Sequence, residues 1–554
     1  MRAEDVARIA GRLRSRREAD AIVGLAVGRD EVVRLGPGFA DLALQVMRGG
    51  GLLGGQYYAD NGEIEIRSGG AIASGQSVGT RPLYTILALG DAQAKVQARE
   101  DLNLHAVLNP HLVVQSSGRG ANVNVDSARS ALWSVFSTYG EDSRAALASL
   151  AGNVNFHNAP GGSASLASMT TSTGAYRTPL NFTISSVNYN AARAFAVMPS
   201  SLEFTAFQGD VLAGGTSAVM RPAAVGQLDV LAMGSVGLPL TLTLSDMAPM
   251  PDAVRPAVNT DAFSPTTLTA HASQPVHAGD TEPARIHAAT GDVTGAPNKL
   301  NLVLAKAARV KAGRDVRDLG LSVQHANAGD VSQVEAGRDV VFTSLGSRSK
   351  NAYIWLAGPG RLEVTAGRDV DLGTSAGIVS RGNLDNAALP ARGADVHVAA
   401  GVGAGGIDYA GAIDRLDTVL AADPNDDTAL WLARWLTGND TLSAPDARAA
   451  VQAIAALDPE ARRSRVRELV FTALRATGRD SLDASSPYAA DYARGYKALD
   501  LVFPGIAEKD GNGGFRRYQG DINLFASRVL TERGGDIEFM APGGDVNVGR
   551  ANTP

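Results

Sequence analysis

The chain has 554 residues, of which 51 are basic and 57 acidic, for a formal charge of −6. Its 62 glycines are about 11% of the chain against a usual ~7%, while aromatics reach only 5%. The 45% hydrophobic content excludes disorder, the lack of a Gly-X-Y period excludes collagen, and the absence of cysteine excludes disulfides, thiolate metal sites and cysteine nucleophiles.

Residues 1–20 (MRAEDVARIAGRLRSRREAD) lack the apolar core of about 7–15 residues that a secretory signal requires, so no signal peptide is read. The stripe Val6, Ile9, Ala10, Leu13 predicts a short N-terminal helix over 1–20, with the basic run Arg14–Arg17 on its solvated face. Elsewhere the two signs of charge are interspersed, without the basic stripe of a nucleic-acid binder. No stretch is apolar for long enough to predict a membrane helix.

From residue 21 to 410 the sequence repeats itself. The pentapeptide Ala-Gly-Arg-Asp-Val occurs at 312–316, 336–340 and 366–370. Relaxed to Asp before Val or Ile, it adds Asp210, Asp292, Asp330, Asp395, Asp521, Asp536 and Asp545. The steps Asp315–Asp330–Asp339 are 15 and 9 residues, and Asp521–Asp536–Asp545 repeats them. Weaker copies lie at 61–74, 98–107, 118–127, 151–158, 201–214 and 226–236. Alternating runs broken by Gly and Asp read as strand–turn–strand, with Gly supplying a positive φ and Asp bonding its own backbone two residues on. A 24-residue period of such units predicts a mainly β chain, a right-handed parallel β-helix (solenoid) of about 12–16 coils.

Helical periodicity replaces this pattern over 411–500. Ile413, Leu416, Val419 and Leu420 form one stripe; Leu430, Ala433 and Leu436 a second; Val466, Leu469, Val470 and Leu474 a third. Ser443–Asp446 reads as a capping start and Asp458-Pro459 puts Pro at a first helical position. The solenoid is expected to resume over 501–554.

Four patterns could carry chemistry. Gly401-Val-Gly403-Ala-Gly-Gly406, with Asp423 beyond it, fits a dinucleotide-binding fingerprint, but helices follow where a parallel strand is needed, so it reads as a glycine-rich exit from a coil. Gly75-Gln-Ser77-Val-Gly79 fits a nucleophile elbow, yet a turn and another strand follow, so Ser77 reads as a turn serine. Asp510–Gly514 opens like a calcium loop but has Asp521 at the position of the bidentate Glu. The eight histidines are scattered, His271 and His277 six apart. A polysaccharide-cleaving enzyme would need outward carboxylates about 5–9 Å apart or a calcium cluster. The repeated aspartates instead read as turn residues, stacked in a ladder with the arginines beside Asp315, Asp339 and Asp369 offsetting their repulsion. No catalytic, cofactor-binding or metal-binding residue is therefore expected, and the chain is not read as an enzyme.

The AGRDV repeats, the run at 299–342, the ending at 518–549 and the segments 57–72 and 201–215 resemble filamentous haemagglutinin-like exoproteins of bacteria, in the functionally unassigned later region of those very large chains. The resemblance runs from about Ala26 to the end; the family's N-terminal secretion module and signal sequence have no match here. It implies a secreted or cell-surface fibre delivered by two-partner secretion through an outer-membrane transporter, with host-cell or bacterial surface receptors or glycans as partners. Its expected role is adhesion, aggregation or biofilm formation; the alternatives are the stalk of a contact-dependent toxin and a β-helix polysaccharide-cleaving enzyme. The missing polar cap after Gly549 leads us to expect a segment of a longer chain or a truncated gene product, able to self-associate through an uncapped end.

Overall fold

The computed structural model describes residues 31–35, 43–78, 81–109, 112, 136–158, 195–247, 250–252, 254–257, 270–347, 351–403 and 405–549. The N-terminal helix expected over 1–20 and the repeat copy at 118–127 lie outside them.

Three long sheets of stacked parallel strands make up most of the chain, so the fold is a parallel β-helix. The first sheet runs as twelve parallel strands from Ala43–Arg48 to Ile537–Met540, with Glu31–Leu35 added antiparallel at its start. The second runs from Leu102–Leu104 to Val546–Asn547 and the third from Val197–Met198 to Val529–Thr531. One coil visits all three: Leu300–Leu304 in the third sheet, Ala308–Ala312 in the first, Val316–Arg317 in the second, then Gly320–Gln324 back in the third.

That path explains the 15-and-9 spacing. Asp330 stands one residue before the first-sheet strand Val331–Ala336, and Asp339 one residue before the second-sheet strand Val340–Val341. Nine residues therefore cross the first sheet, and the 15 from Asp315 to Asp330 cross the second and third. The register is 24 residues from Arg285 to Arg309 to Gln333, then lengthens to Glu363 and His397 as the corners take up longer loops.

At the corner between the first and second sheets the aspartates form a continuous ladder. Each side chain accepts the backbone N–H of the equivalent residue one coil on. Asn153 donates to Asp101 Oδ1 at 2.7 Å, Asp210 to Asn153 at 2.8 Å, Asp315 to Asp292 at 3.0 Å and Asp521 to Asp369 at 2.8 Å. Ser235, Asp339 and Asp545 continue it. The expected bond from each Asp to its own chain two residues on is thus corrected at this corner. That bond occurs one turn later, where Gly373 donates to Asp371 Oδ1 and Phe525 to Asn523 Oδ1.

The glycine before each Arg-Asp also has a different reason from the one expected. Gly313, Gly337 and Gly367 are absent from the positive-φ residues. A Cβ on Gly337 would sit 2.2 Å from the Gly313 carbonyl oxygen, and one on Gly367 2.1 Å from that of Gly337. Backbone stacked on backbone at the corner leaves no room for a side chain.

Inside, like sits on like. Val293, Val316, Val340, Val370 and Ile522 stack through the second sheet, and Ile286, Val310, Val334, Val364 and Val398 through the first, all buried. Each such burial contributes about 1.5–3 kcal/mol, against about 0–1 kcal/mol for a solvent-exposed ion pair, so the aliphatic stacks dominate coil cohesion.

Where the sequence predicts helices over about 411–500, five run from Tyr409 to Val502: α1 (Tyr409–Ala422), α2 (Asp427–Thr437), α3 (Ala444–Ala455), α4 (Pro459–Leu482) and α5 (Ala493–Val502). They interrupt a single coil between the first-sheet strand Asp395–Ala399 and the second-sheet strand Ile522–Asn523. The latter stacks on Val370–Asp371, 152 positions earlier. The Asp458 side chain caps α4 by accepting from Glu460 and Ala461, with Pro459 at the first position. Ser443 precedes α3 but bonds the Asp446 side chain rather than a backbone N–H. Ile413, Leu416 and Leu420 are buried while Val419 is exposed, which narrows the expected stripe. Among the described residues no helix is long and apolar enough to cross a membrane.

Candidate functional site

The strongest concentration of buried charge lies where α4 crosses the outer face of the first sheet. Strand alternation turns Gln333, Glu363, His397 and Glu538 outward in one column, each in register with the next. Helical spacing puts Glu460, Arg463 and Arg467 on one face of α4, at i, i+3 and i+7. The two rows interlock. Glu460 pairs with Arg361, Arg463 with Glu363, and Arg467 Nη1 lies 3.2 Å from Glu363 Oε1 and its Nε 3.7 Å from Glu538 Oε2. Arg361 Nε donates to Glu363 Oε1 at 2.8 Å, and Gln333 Nε2 to Glu363 Oε2 at 3.1 Å.

Glu363 is 4% exposed, so burial raises its pKa; the Arg463 and Arg361 guanidinia outweigh this and hold its carboxyl below the ordinary range. A carboxylate so held is a poor proton donor and suits an anchor for α4. Removing one partner of such a cluster costs about 3–5 kcal/mol, because buried cations are left uncompensated.

Beside this cluster a cavity of about 480 Å³ opens between the start of α1 and the start of α4. Gly405, Gly406 and Ile407 line one side, Pro459, Arg462 and Arg463 the other, and Tyr409 lines it as well. The Arg463 guanidinium stands 5.2 Å over the Tyr409 ring, and burial pushes the Tyr409 hydroxyl up to about 12. Asp408, at the N-cap of α1, accepts from Gly411 and pairs with Arg415 at 2.9 Å. Arg462 has no ion-pair or side-chain hydrogen-bond partner among the described residues, and its Nε is buried without one.

Gly401–Gly406 leaves the strand Asp395–Ala399 with positive φ at Gly401, Gly403 and Gly406 and leads into α1, then α2, with no parallel strand between. Its last two glycines reach the cavity. Ser77 sits within Gln76–Val78, paired antiparallel to Arg81–Leu83, hence in a hairpin strand rather than in the turn itself. Asp510 Oδ1 accepts the N–H groups of Asn512 and Gly514, both at 2.8 Å, closing a tight loop on itself.

His271 Nδ1 is 2.8 Å from Asp246 Oδ1, whose hydrogen bond raises the histidine pKa. His277 is packed against Asp280, itself paired with the buried Lys306. His325 Nδ1 is 2.8 Å from the Pro359 carbonyl, which can only accept, so Nε2 accepts from Ser332 Oγ at 2.7 Å. This Ser–His pair is fully buried within the coils. Among the described residues no group of three His, Asp or Glu is placed to hold a metal ion.

Neither the α4 cluster nor the cavity was expected from the sequence. A signal was present: Arg462, Arg463, Arg465 and Arg467 match the density of the N-terminal basic run, and Arg463 and Arg467 share a helix face. No family model, no curated protein and no solved structure matches this chain.

Proposed function

We propose that the chain is a structural segment of a large bacterial surface or secreted filamentous adhesin, acting in adhesion, aggregation or biofilm formation and not in catalysis. The observation that carries this reading is the corner ladder. Nine equivalent residues from Asp101 to Asp521 spend their side-chain oxygens on the next coil's backbone, which is what a rod needs and a catalytic cleft does not. The buried carboxylates Asp280, Asp315 and Glu363 point the same way, because neighbouring cations hold all three below the ordinary range, whereas a glycosidic general acid needs a raised pKa. Export by two-partner secretion through an outer-membrane transporter, with surface receptors or glycans as partners, belongs to the same proposal.

The test is to measure saturable binding of the purified chain to bacterial cells, host cells and a glycan panel, alongside turnover of polysaccharides with and without calcium. Adhesion predicts binding without cleavage. Robust polysaccharide cleavage would overturn the reading.

A further inference from the structure

We infer that the cavity between α1 and α4 is a binding site for a small ligand bearing one carboxylate or phosphate group, with Arg462 as the residue that recognises it. The inference goes beyond the adhesin reading and does not depend on it. The pattern of ion pairing around the cavity points to an anion. Arg361, Arg463 and Arg467 are matched by Glu460, Glu363 and Glu538, and Arg415 by Asp408. Among the described residues Arg462 has no carboxylate partner, half-buried at the cavity wall with its Nε out of solvent and unbonded, while the Asp458 carboxylate nearby is taken up by the Glu460 and Ala461 amides of α4. Burying a guanidinium N–H without an acceptor costs free energy that an incoming oxyanion returns, and the planar fork suits carboxylate or phosphate.

The two helix starts are not the source of the attraction. Asp408 and Asp458 already accept the first-turn amides of α1 and α4, and Pro459 has no N–H to offer. The arginine carries the recognition.

Shape agrees with a ligand rather than a lone ion. About 480 Å³ is within the range of small-molecule sites. A Cβ added at Gly405 or Gly406 would meet nothing within 4 Å, so these glycines leave open space. Arg463, held by Glu363 and lying over Tyr409, is a fixed second cation on the same wall. Its Nε is likewise buried without a partner among the described residues.

The experiment is calorimetric titration of the full chain with inorganic phosphate, D-glucuronate and, as the neutral control, D-glucose, at two salt concentrations. The expected result is one site per chain for phosphate or glucuronate, weakened by added salt, and none for glucose. Stronger phosphate binding assigns the site to phosphate esters, and stronger glucuronate binding to acidic sugars. Arg462→Ala should weaken binding about tenfold or more, Arg462→Lys should retain part of it, and Glu460→Gln should leave it present. The helical circular dichroism of each variant must match the parent, which Arg462 permits because it holds no side-chain partner among the described residues. No saturable binding of either anion, equal binding of glucose, or unchanged binding in a folded Arg462→Ala variant overturns the assignment.

Discussion

Arg338 does not pair with the aspartate beside it in sequence; its Nε lies 2.9 Å and its Nη2 2.7 Å from the two carboxylate oxygens of Asp315, one coil earlier. Arg314 reaches back to Asp292 at 3.6 Å, and Arg368 Nε to Asp339 Oδ1 at 3.1 Å, in the same sense. Each AGRDV word therefore ties its coil to the one before by two bonds of different kinds. The Asp N–H donates to the preceding carboxylate, and the Arg neutralises that same carboxylate.

The two kinds of bond can be separated by substitution. Asp315→Asn keeps an oxygen for the Asp339 N–H and loses the charge facing Arg338 and Arg317, both partly solvated, so about 1 kcal/mol is expected. Asp315→Ala removes the acceptor as well at a position 3% exposed, and about 2–4 kcal/mol is expected. Hydrogen exchange at the Asp339 amide checks this: protection should fall far more in the alanine variant than in the asparagine one. Equal loss in both would mean that the ion pair, not the backbone bond, holds the corner.

The coil architecture was legible because its words repeat. A stacked solenoid puts equal residues in equal environments, so Asp315, Asp330 and Asp339 report the corners by spacing alone. What each residue does there was not legible, because the ladder partner lies 23 to 152 positions away and the chain alone gives no direction to a side chain. The site at α4 was hidden for a related reason. Glu363 reads as one more outward residue of an alternating strand until Arg463 and Arg467, 100 and 104 positions on, are laid over it. Tertiary contact of that range leaves no local period to detect.

Acid should weaken the fold through histidines before it reaches the carboxylates. Burial lowers the pKa of His105 to about 4, with His157 adding to the effect, and burial lowers that of His325 to about 4. As pH falls below 6.5 the unfolded chain takes up these protons and the folded chain does not, so stability is present above about pH 6.5 and lost between there and pH 4. The loss is on the order of 2 kcal/mol for each histidine by pH 5. His271, raised by Asp246, acts in the opposite sense, giving stability at low pH that is lost as pH rises through its folded value. Asp315 and Asp280 are lowered carboxylates whose contributions are lost only at still lower pH. Urea unfolding at pH 7, 6 and 5 measures the slope. His105→Phe, which keeps an aromatic ring beside Tyr84 at this apolar position, should flatten it by about one histidine's share, and an unchanged slope would remove His105 from the account.

A comparison of two glycines isolates coil stacking from backbone freedom. Gly337 and Gly329 both lie outside the positive-φ set, so neither needs glycine for its conformation. At Gly337 a methyl group would stand 2.2 Å from the Gly313 carbonyl oxygen, a backbone atom fixed by the first-to-second-sheet corner. At Gly329 it would meet nothing within 4 Å. Gly337→Ala must push the coil off its neighbour, stretching the bonds from Gly337 to Ala312 and from Arg338 to Arg314, both 2.9 Å. About 1–3 kcal/mol of destabilisation or more is expected. Gly329→Ala should be neutral, or stabilising by about 0.4–1 kcal/mol through the unfolded chain. Thermal unfolding of the two variants beside the parent decides it. Matching losses would mean that glycine serves loop flexibility at both positions, and the stacking explanation of the AGRDV word would fall.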